Sequence, residues 1–144
     1  MTTDFYLTPM TPELMCTNIK ESVAFYLDIL GFNIQYERID DGFAMLERQG
    51  SRLMLDEIIP NSDGTWTAGP LELPYGRGIN LQIQTSQVKT LYDTVKGSPA
   101  KIFLELEEKW YRRDMTLLGN KQFIVLDPDG YMLRFFEYLG EKPA

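Results

Sequence analysis

A chain of 144 residues with 44% hydrophobic and 24% charged side chains has the length and balance of a small globular protein, which excludes a disordered or collagen-like one. Its 21 acidic residues outnumber 14 basic ones for a formal charge of -7, and the Lys and Arg are scattered, so the electropositive face that nucleic acid requires is excluded too. Histidine is absent, which removes Ser-His and Cys-His nucleophile pairs and every imidazole metal site.

The single Cys16 cannot form an internal disulfide, and residues 1–10 carry neither a basic segment nor an apolar leader, so the expected location is the cytoplasm. No apolar run approaches the roughly 20 residues a bilayer span needs, so no membrane association is expected.

In chain order, the spacing predicts a strand over 13–17 and then a helix. Asn18 with Glu21 three residues on makes a capping-box-like start, Ile19, Val23, Tyr26, Leu27 and Leu30 recur at helical spacing, and Gly31 supplies the stop. Strands follow over 32–40, 43–48 and 53–57, with turns at Asp41-Gly42 and around Gly50. The segment 58–76 holds Pro60, Gly64, Gly69, Pro70 and Pro74 and reads as a long surface loop.

The order then repeats. A strand over 79–85 leads to a second helix, capped at Ser86 and built on Val88, Leu91, Tyr92 and Val95 before Gly97, with the same Tyr-to-Gly interval as Tyr26 to Gly31. Strands are expected over 101–107, 122–126 and 131–138, with an irregular stretch near 109–120 and a tight Asp127-Pro128-Asp129-Gly130 turn. The prediction is an α+β fold of two tandem βαβββ modules, 10–58 and 77–139, joined by loop 59–76 within one domain spanning 1–144.

Alternation assigns faces. Ile79, Leu81 and Ile83 form an oily side in the fifth strand, while Asn80, Gln82 and Gln84 form an amide side that either meets water or lines a ligand groove. In the last strand Met132, Arg134 and Phe136 share one face and Leu133, Phe135 and Glu137 the other, so both are covered. Arg134 is then either a surface cation with a packed stem or a charge aimed into a pocket. No acidic group has a metal-ligand spacing, Gly76 and Gly78 precede no helix and read as a turn, and Cys16 reads as a small buried hydrophobe.

Three phrases, in this order, carry a resemblance over residues 12–140: Ser22-Val23-Ala24-Phe25-Tyr26 with Leu30-Gly31-Phe32; Arg52-Leu53-Met54-Leu55-Asp56; and Asp127-Pro128-Asp129-Gly130-Tyr131 before Leu133-Arg134-Phe135 and Glu137. The chain resembles the vicinal-oxygen-chelate (glyoxalase/bleomycin resistance protein/dioxygenase) superfamily, and most of all its bleomycin-resistance branch. The resemblance implies that the two modules form a cupped, mostly antiparallel sheet. Metal-dependent relatives take His, Gln or Glu ligands from the first and last strands of each module. Carried across by motif, those positions fall on Thr11 (or Glu13 if the register slips by two), Met54, Gly78 and Arg134. At most one of these suits a divalent ion, so no metal and no other cofactor is expected, and glyoxalase, dioxygenase and thiol-transferase chemistry is disfavoured.

Drug-binding relatives instead form homodimers and hold cationic drugs in interface crevices. By that analogy the walls are Trp66, Trp110, Tyr111, Phe32, Phe43 and Met54, and the polar contacts Glu13, Asn80, Gln82 and Arg134. Trp66 is a stacking lid or a plug on the core, and Phe32, Phe43 and Met54 weigh towards core. The expectation is a homodimeric protein that binds and sequesters a small molecule, with the acidic balance favouring a cationic one such as a bleomycin-type antibiotic. Two alternatives stand beside it. One is a glyoxalase- or dioxygenase-like enzyme keeping a metal through Glu13, Asp56 and Glu137, and the other is a dimerisation module without a pocket.

Overall fold

Strand, helix and three strands do follow one another twice. The elements are β1 (Glu13–Cys16), α1 (Ile19–Ala24), β2 (Asn33–Arg38), β3 (Phe43–Arg48) and β4 (Ser51–Glu57), then β5 (Asn80–Gln84), α2 (Val88–Lys96), β6 (Lys101–Arg113), β7 (Thr116–Leu126) and β8 (Met132–Pro143). The computed structural model describes residues 4–59 and 66–144; Pro60 and Gly64 of the expected loop lie outside them. Each set of four strands forms its own sheet, ordered β1-β4-β3-β2 and β5-β8-β7-β6. The β1–β4 and β5–β8 pairs are parallel and all the others antiparallel. The chain makes two compact units: one runs up to Arg77 and includes Pro128–Tyr131, the other comprises Gly78–Asp127 and Met132–Ala144.

In the first unit the Asn18 side chain accepts from the Glu21 N–H at 3.1 Å, satisfying one of the open donors at the start of α1. The helix widens into a π-turn over Phe25–Ile29 and stops at Gly31, whose φ of +76° is the left-handed conformation that glycine reaches without strain. Tyr26, fully buried, meets Phe25 and Phe32 edge-on at 5.4 and 5.3 Å, so Phe32 is a core residue. Gln49 and Gly50 both have positive φ, which closes β3 onto β4 with the tight turn that matches strand twist.

The Asp127–Gly130 phrase does more than turn the chain. The Asp129 carboxylate is buried, and it accepts from the Thr17 N–H and hydroxyl at 3.2 and 2.8 Å and from the Ser22 hydroxyl at 3.4 Å. Tyr131 donates its hydroxyl to the Met15 carbonyl at 2.9 Å. A Cβ at Gly76 would sit 2.5 Å from the Tyr131 Cα, so the close approach of these two segments requires glycine there.

In the second unit, Val88, Leu91, Tyr92 and Val95 of α2 are buried against the sheet, where Phe123 stacks on Phe135 at 5.7 Å. Two expectations are corrected here. The residue before α2 is Gln87, not Ser86, and its side chain makes no capping bond; the Val88 N–H is instead satisfied by the Glu137 carboxylate at 2.9 Å. The same device recurs in the first unit, where Glu57 accepts from the Ile19 N–H at 2.8 Å.

The stretch near 109–120 is not irregular but the distal part of the β6–β7 hairpin, pairing Trp110 with Gly119 and Arg113 with Thr116. Register shifts between Ile102 and Leu104 and between Leu104 and Glu107 break the strict alternation by which a strand is recognised. The Trp110 ring lies directly over Gly119, where a Cβ would come within 2.6 Å, and the Lys142 ammonium stands 4.0 Å above its centroid.

Candidate functional site

In each sheet one face receives the helix and the other faces away from it. On that second face of the second sheet, strand register sets Gln82, Arg134, Ile124 and Leu104 in one row and Gln84, Phe136, Gln122 and Glu107 in the next. The polar members of these rows form a network. Arg134 donates from Nη2 to Gln82 Oε1 at 3.0 Å and from Nη1 to the Tyr111 hydroxyl oxygen at 3.2 Å. Gln122 donates from Nε2 to that same oxygen at 2.7 Å and to Glu107 Oε2 at 3.1 Å.

This arrangement fixes its own polarity. A carboxylate can only accept, so Glu107 requires the Gln122 amide nitrogen on its side, which settles which way the amide points. Gln122 is only 2% exposed, and its Oε1 is left buried with no donor among the described residues. The Arg134 Nε–H is likewise buried without an acceptor. Tyr111 already accepts two hydrogen bonds, so its own proton points elsewhere, and it finds no acceptor among the described residues. Nor does Arg134 pair with a carboxylate among them. A buried polar group left unpaired costs about 1–3 kcal/mol, so an apolar surface would be cheaper than this one in the free protein.

The matching face of the first sheet is differently furnished. Register places Glu13 beside Met54 and Met45, and Met15 beside Asp56 and Phe43. The chain's own N-terminal segment contributes here, since Phe5 lies 6.3 Å from Tyr36 and the Arg52 guanidinium sits 5.5 and 5.9 Å from the Phe5 and Tyr6 rings. Tyr6 donates to Glu47 Oε2 at 2.9 Å and Asn33 to Glu47 Oε1 at 2.9 Å. Burial, reinforced by the Glu47 carboxylate, pushes the Tyr6 hydroxyl up to about 12. Burial also raises the Glu13 carboxyl, with the Asp56 charge adding to it; Asp56 is raised by burial and partly restrained by Arg38.

The expected site residues therefore separate into groups. Gln82, Arg134 and Tyr111 come together in the second unit, with Asn80 one step along β5 and exposed. Glu13, Met54 and Phe43 share the first sheet; Phe43 is buried, its ring tilted against Tyr36 at 5.8 Å with the Arg38 guanidinium 4.1 Å over its ring. Trp66 is 69% exposed in its loop, Trp110 is seated on Gly119, and Phe32 is in the core. Gln122 and Glu107 escaped the sequence reading. The usable signal was alternation in the seventh strand, which sets Gln122 and Ile124 on the side opposite Phe123 and Val125.

Register decides between the ligand positions taken from the resemblance, selecting Glu13 over Thr11 beside Met54 and setting Gln82 rather than Gly78 beside Arg134. Thr11 and Gly78 lie ahead of β1 and β5, and the residues beside Met54 and Arg134 are Glu13 and Gln82. A divalent ion does not fit either pair. Arg134 brings a fixed positive charge and occupies the Gln82 oxygen, while Met54 offers Glu13 only a soft, neutral companion. Glu137, the third carboxylate of the alternative metal set, is engaged at the start of α2. Among the described residues no three His, Cys, Asp or Glu side chains converge.

The sequence matches no protein-family profile. It is 28% identical over 139 residues to a bleomycin resistance protein of Geobacillus stearothermophilus, covering 89% of this chain and 95% of that protein. A glyoxalase/bleomycin resistance protein/dioxygenase superfamily member of Vibrio splendidus 12B01 is 38% identical over 88% of this chain and 96% of its own, at a TM-score of 0.40. A glyoxalase/bleomycin resistance protein/dioxygenase of Alicyclobacillus acidocaldarius shares the fold at a TM-score of 0.62, with 18% identity over 90% of each chain.

Proposed function

We propose that this chain, which belongs to the glyoxalase/bleomycin resistance protein/dioxygenase superfamily, binds and sequesters a small organic molecule without using a metal ion. The reading treats modules 10–58 and 77–139 with loop 59–76 as one domain, acting as a cytoplasmic homodimer. One observation carries it: Arg134 stands at the centre of the open face of the second sheet, held by Gln82 and Tyr111 and unpaired with any described carboxylate. Metal-dependent relatives place an ion's ligand at that position, and a guanidinium there repels a cation instead. The network has unused donors and an unused acceptor among the described residues, which suits recognition of a polar group, and the half-buried Met132 and Phe136 alongside supply apolar contact.

Bleomycin-type antibiotics are the first ligands to try, on the strength of the curated relatives' name and the negative field. The decisive test is elemental analysis of purified protein with a thermal-shift series of divalent ions, alongside a native mass spectrometry ligand screen. No stoichiometric metal, no ion-dependent rise in melting temperature and one small-molecule adduct per protomer are expected. A stoichiometric ion contacting Glu13 or Asp56 would favour the enzymatic alternative.

A further inference from the structure

We propose that the group anchored on this face is a carboxylate carrying a hydrogen-bond donor on its neighbouring carbon, as in an α-amino or α-hydroxy acid, free or as part of a larger molecule. The inference rests on reading the open face of the second sheet as the ligand face. Five side chains carry it through their hydrogen-bonding valences: Arg134, Gln82, Tyr111, Gln122 and Glu107.

Arg134 spends one N–H on Gln82 and one on Tyr111, both neutral acceptors, so its charge is unneutralised among the described residues and its Nε–H is buried without a partner. The Tyr111 hydroxyl, loaded with two donors, holds its own proton ready for a third oxygen. A planar guanidinium edge and an adjacent O–H together present what a carboxylate accepts, and in a fork that an ammonium or a single neutral donor would not fill. The remaining open valence has the opposite sense: Gln122 Oε1 is buried and has no donor among the described residues, and its amide cannot rotate because Glu107 holds the nitrogen.

Gln122 and Arg134 meet at the same Tyr111 oxygen, so the two unmet needs, acceptor for Arg134 and donor for Gln122, lie within reach of one small group. A carboxylate with a vicinal hydroxyl or ammonium meets both. The overall charge of -7 does not contradict this: the field acts on the whole ligand, whereas contacts decide which end is anchored. Glu107, one amide away from the donor end, favours an ammonium over a hydroxyl there.

The test is an NMR titration of the full-length protein with four probes on one scaffold: phenylalanine, 3-phenyllactate, 3-phenylpropionate, which lacks the vicinal donor, and phenethylamine, which lacks the carboxylate. Phenylalanine or 3-phenyllactate is expected to bind roughly fivefold or more tightly than 3-phenylpropionate, and phenethylamine least, with shifts at Gln82, Tyr111, Gln122 and Arg134. The preference between the first two identifies the donor. Arg134→Met should weaken the best probe by at least about tenfold. Should that variant not fold, Arg134→Lys, which keeps the charge but loses the planar fork, should weaken it roughly fivefold. Phenethylamine binding as well as the acids at these residues would overturn the carboxylate assignment while leaving small-molecule binding standing. No shift with any probe overturns it too; if the native mass spectrometry screen is also empty, the broader reading falls with it.

Discussion

Arg134 and Gln122 differ in how far their environments could be read from the sequence. The period of β8 puts Arg134 between Met132 and Phe136 on one face, but the choice between surface cation and inward charge depends on what β5 and β6 bring alongside, which only register decides. Gln122 falls opposite Phe123 and Val125 by alternation within β7, but which side chains of the bulged β6 stand beside it is set by register alone. Glu13 and Asp56 yield a prediction at this scale. Both carboxyls are raised by burial, so their ionisation weakens the folded state: the stability each contributes is full below its ordinary unfolded range and is lost as pH rises through the raised value. Glu13→Gln should therefore stabilise the protein at pH 7 by about 0.5 kcal/mol, roughly 2 °C in melting temperature, and the advantage should vanish on acidification towards pH 4. A pH series of thermal melts on both proteins checks this; a variant less stable than the parent at pH 7 would contradict it.

At the scale of elements, order and type were legible because α1 and α2 carry helical spacing between clear stops and the strands β1 to β5 are short runs bounded by turn residues. What was not legible came from distant partners. The cap of α2 comes from Glu137, 49 residues away, so local sequence pointed to the nearest hydroxyl, Ser86. Glu137→Ala should cost about 1 kcal/mol, near 3 °C, and Glu137→Gln less, because the amide oxygen still accepts from Val88; circular-dichroism melts separate the two. The β6–β7 hairpin was lost to its bulges. Its distal end relies on Trp110 lying on Gly119, so Gly119→Ala should destabilise by roughly 1–3 kcal/mol, and adding Trp110→Ala should cost less than the sum of the two changes.

For the molecule as a whole, a repeated order of elements is the organising fact, and it was readable from the repeated Tyr-to-Gly interval and strand count. The two units differ on the faces turned away from their helices. In the first, Phe5 and Tyr6 lie over Arg52, and Glu47 is tied to Tyr6 and Asn33; in the second, five polar side chains hold one another with valences to spare. Light scattering should give twice the 16.7 kDa chain mass for the proposed homodimer, and calorimetry with a bleomycin-type drug should show about one site per protomer with micromolar or tighter affinity. A monomer would remove the dimer, and an absence of heat the particular drug. Of the two tryptophans, Trp66 is open to water while Trp110 is held between a glycine and a lysine ammonium, next along β6 from Tyr111. Their emission should therefore differ in colour and in quenching by dissolved iodide. Replacing Trp66 with phenylalanine would leave Trp110 as the single tryptophan, on the face of β6 opposite Tyr111, so that the seating of the hairpin's distal end on Gly119 could be followed optically without any label.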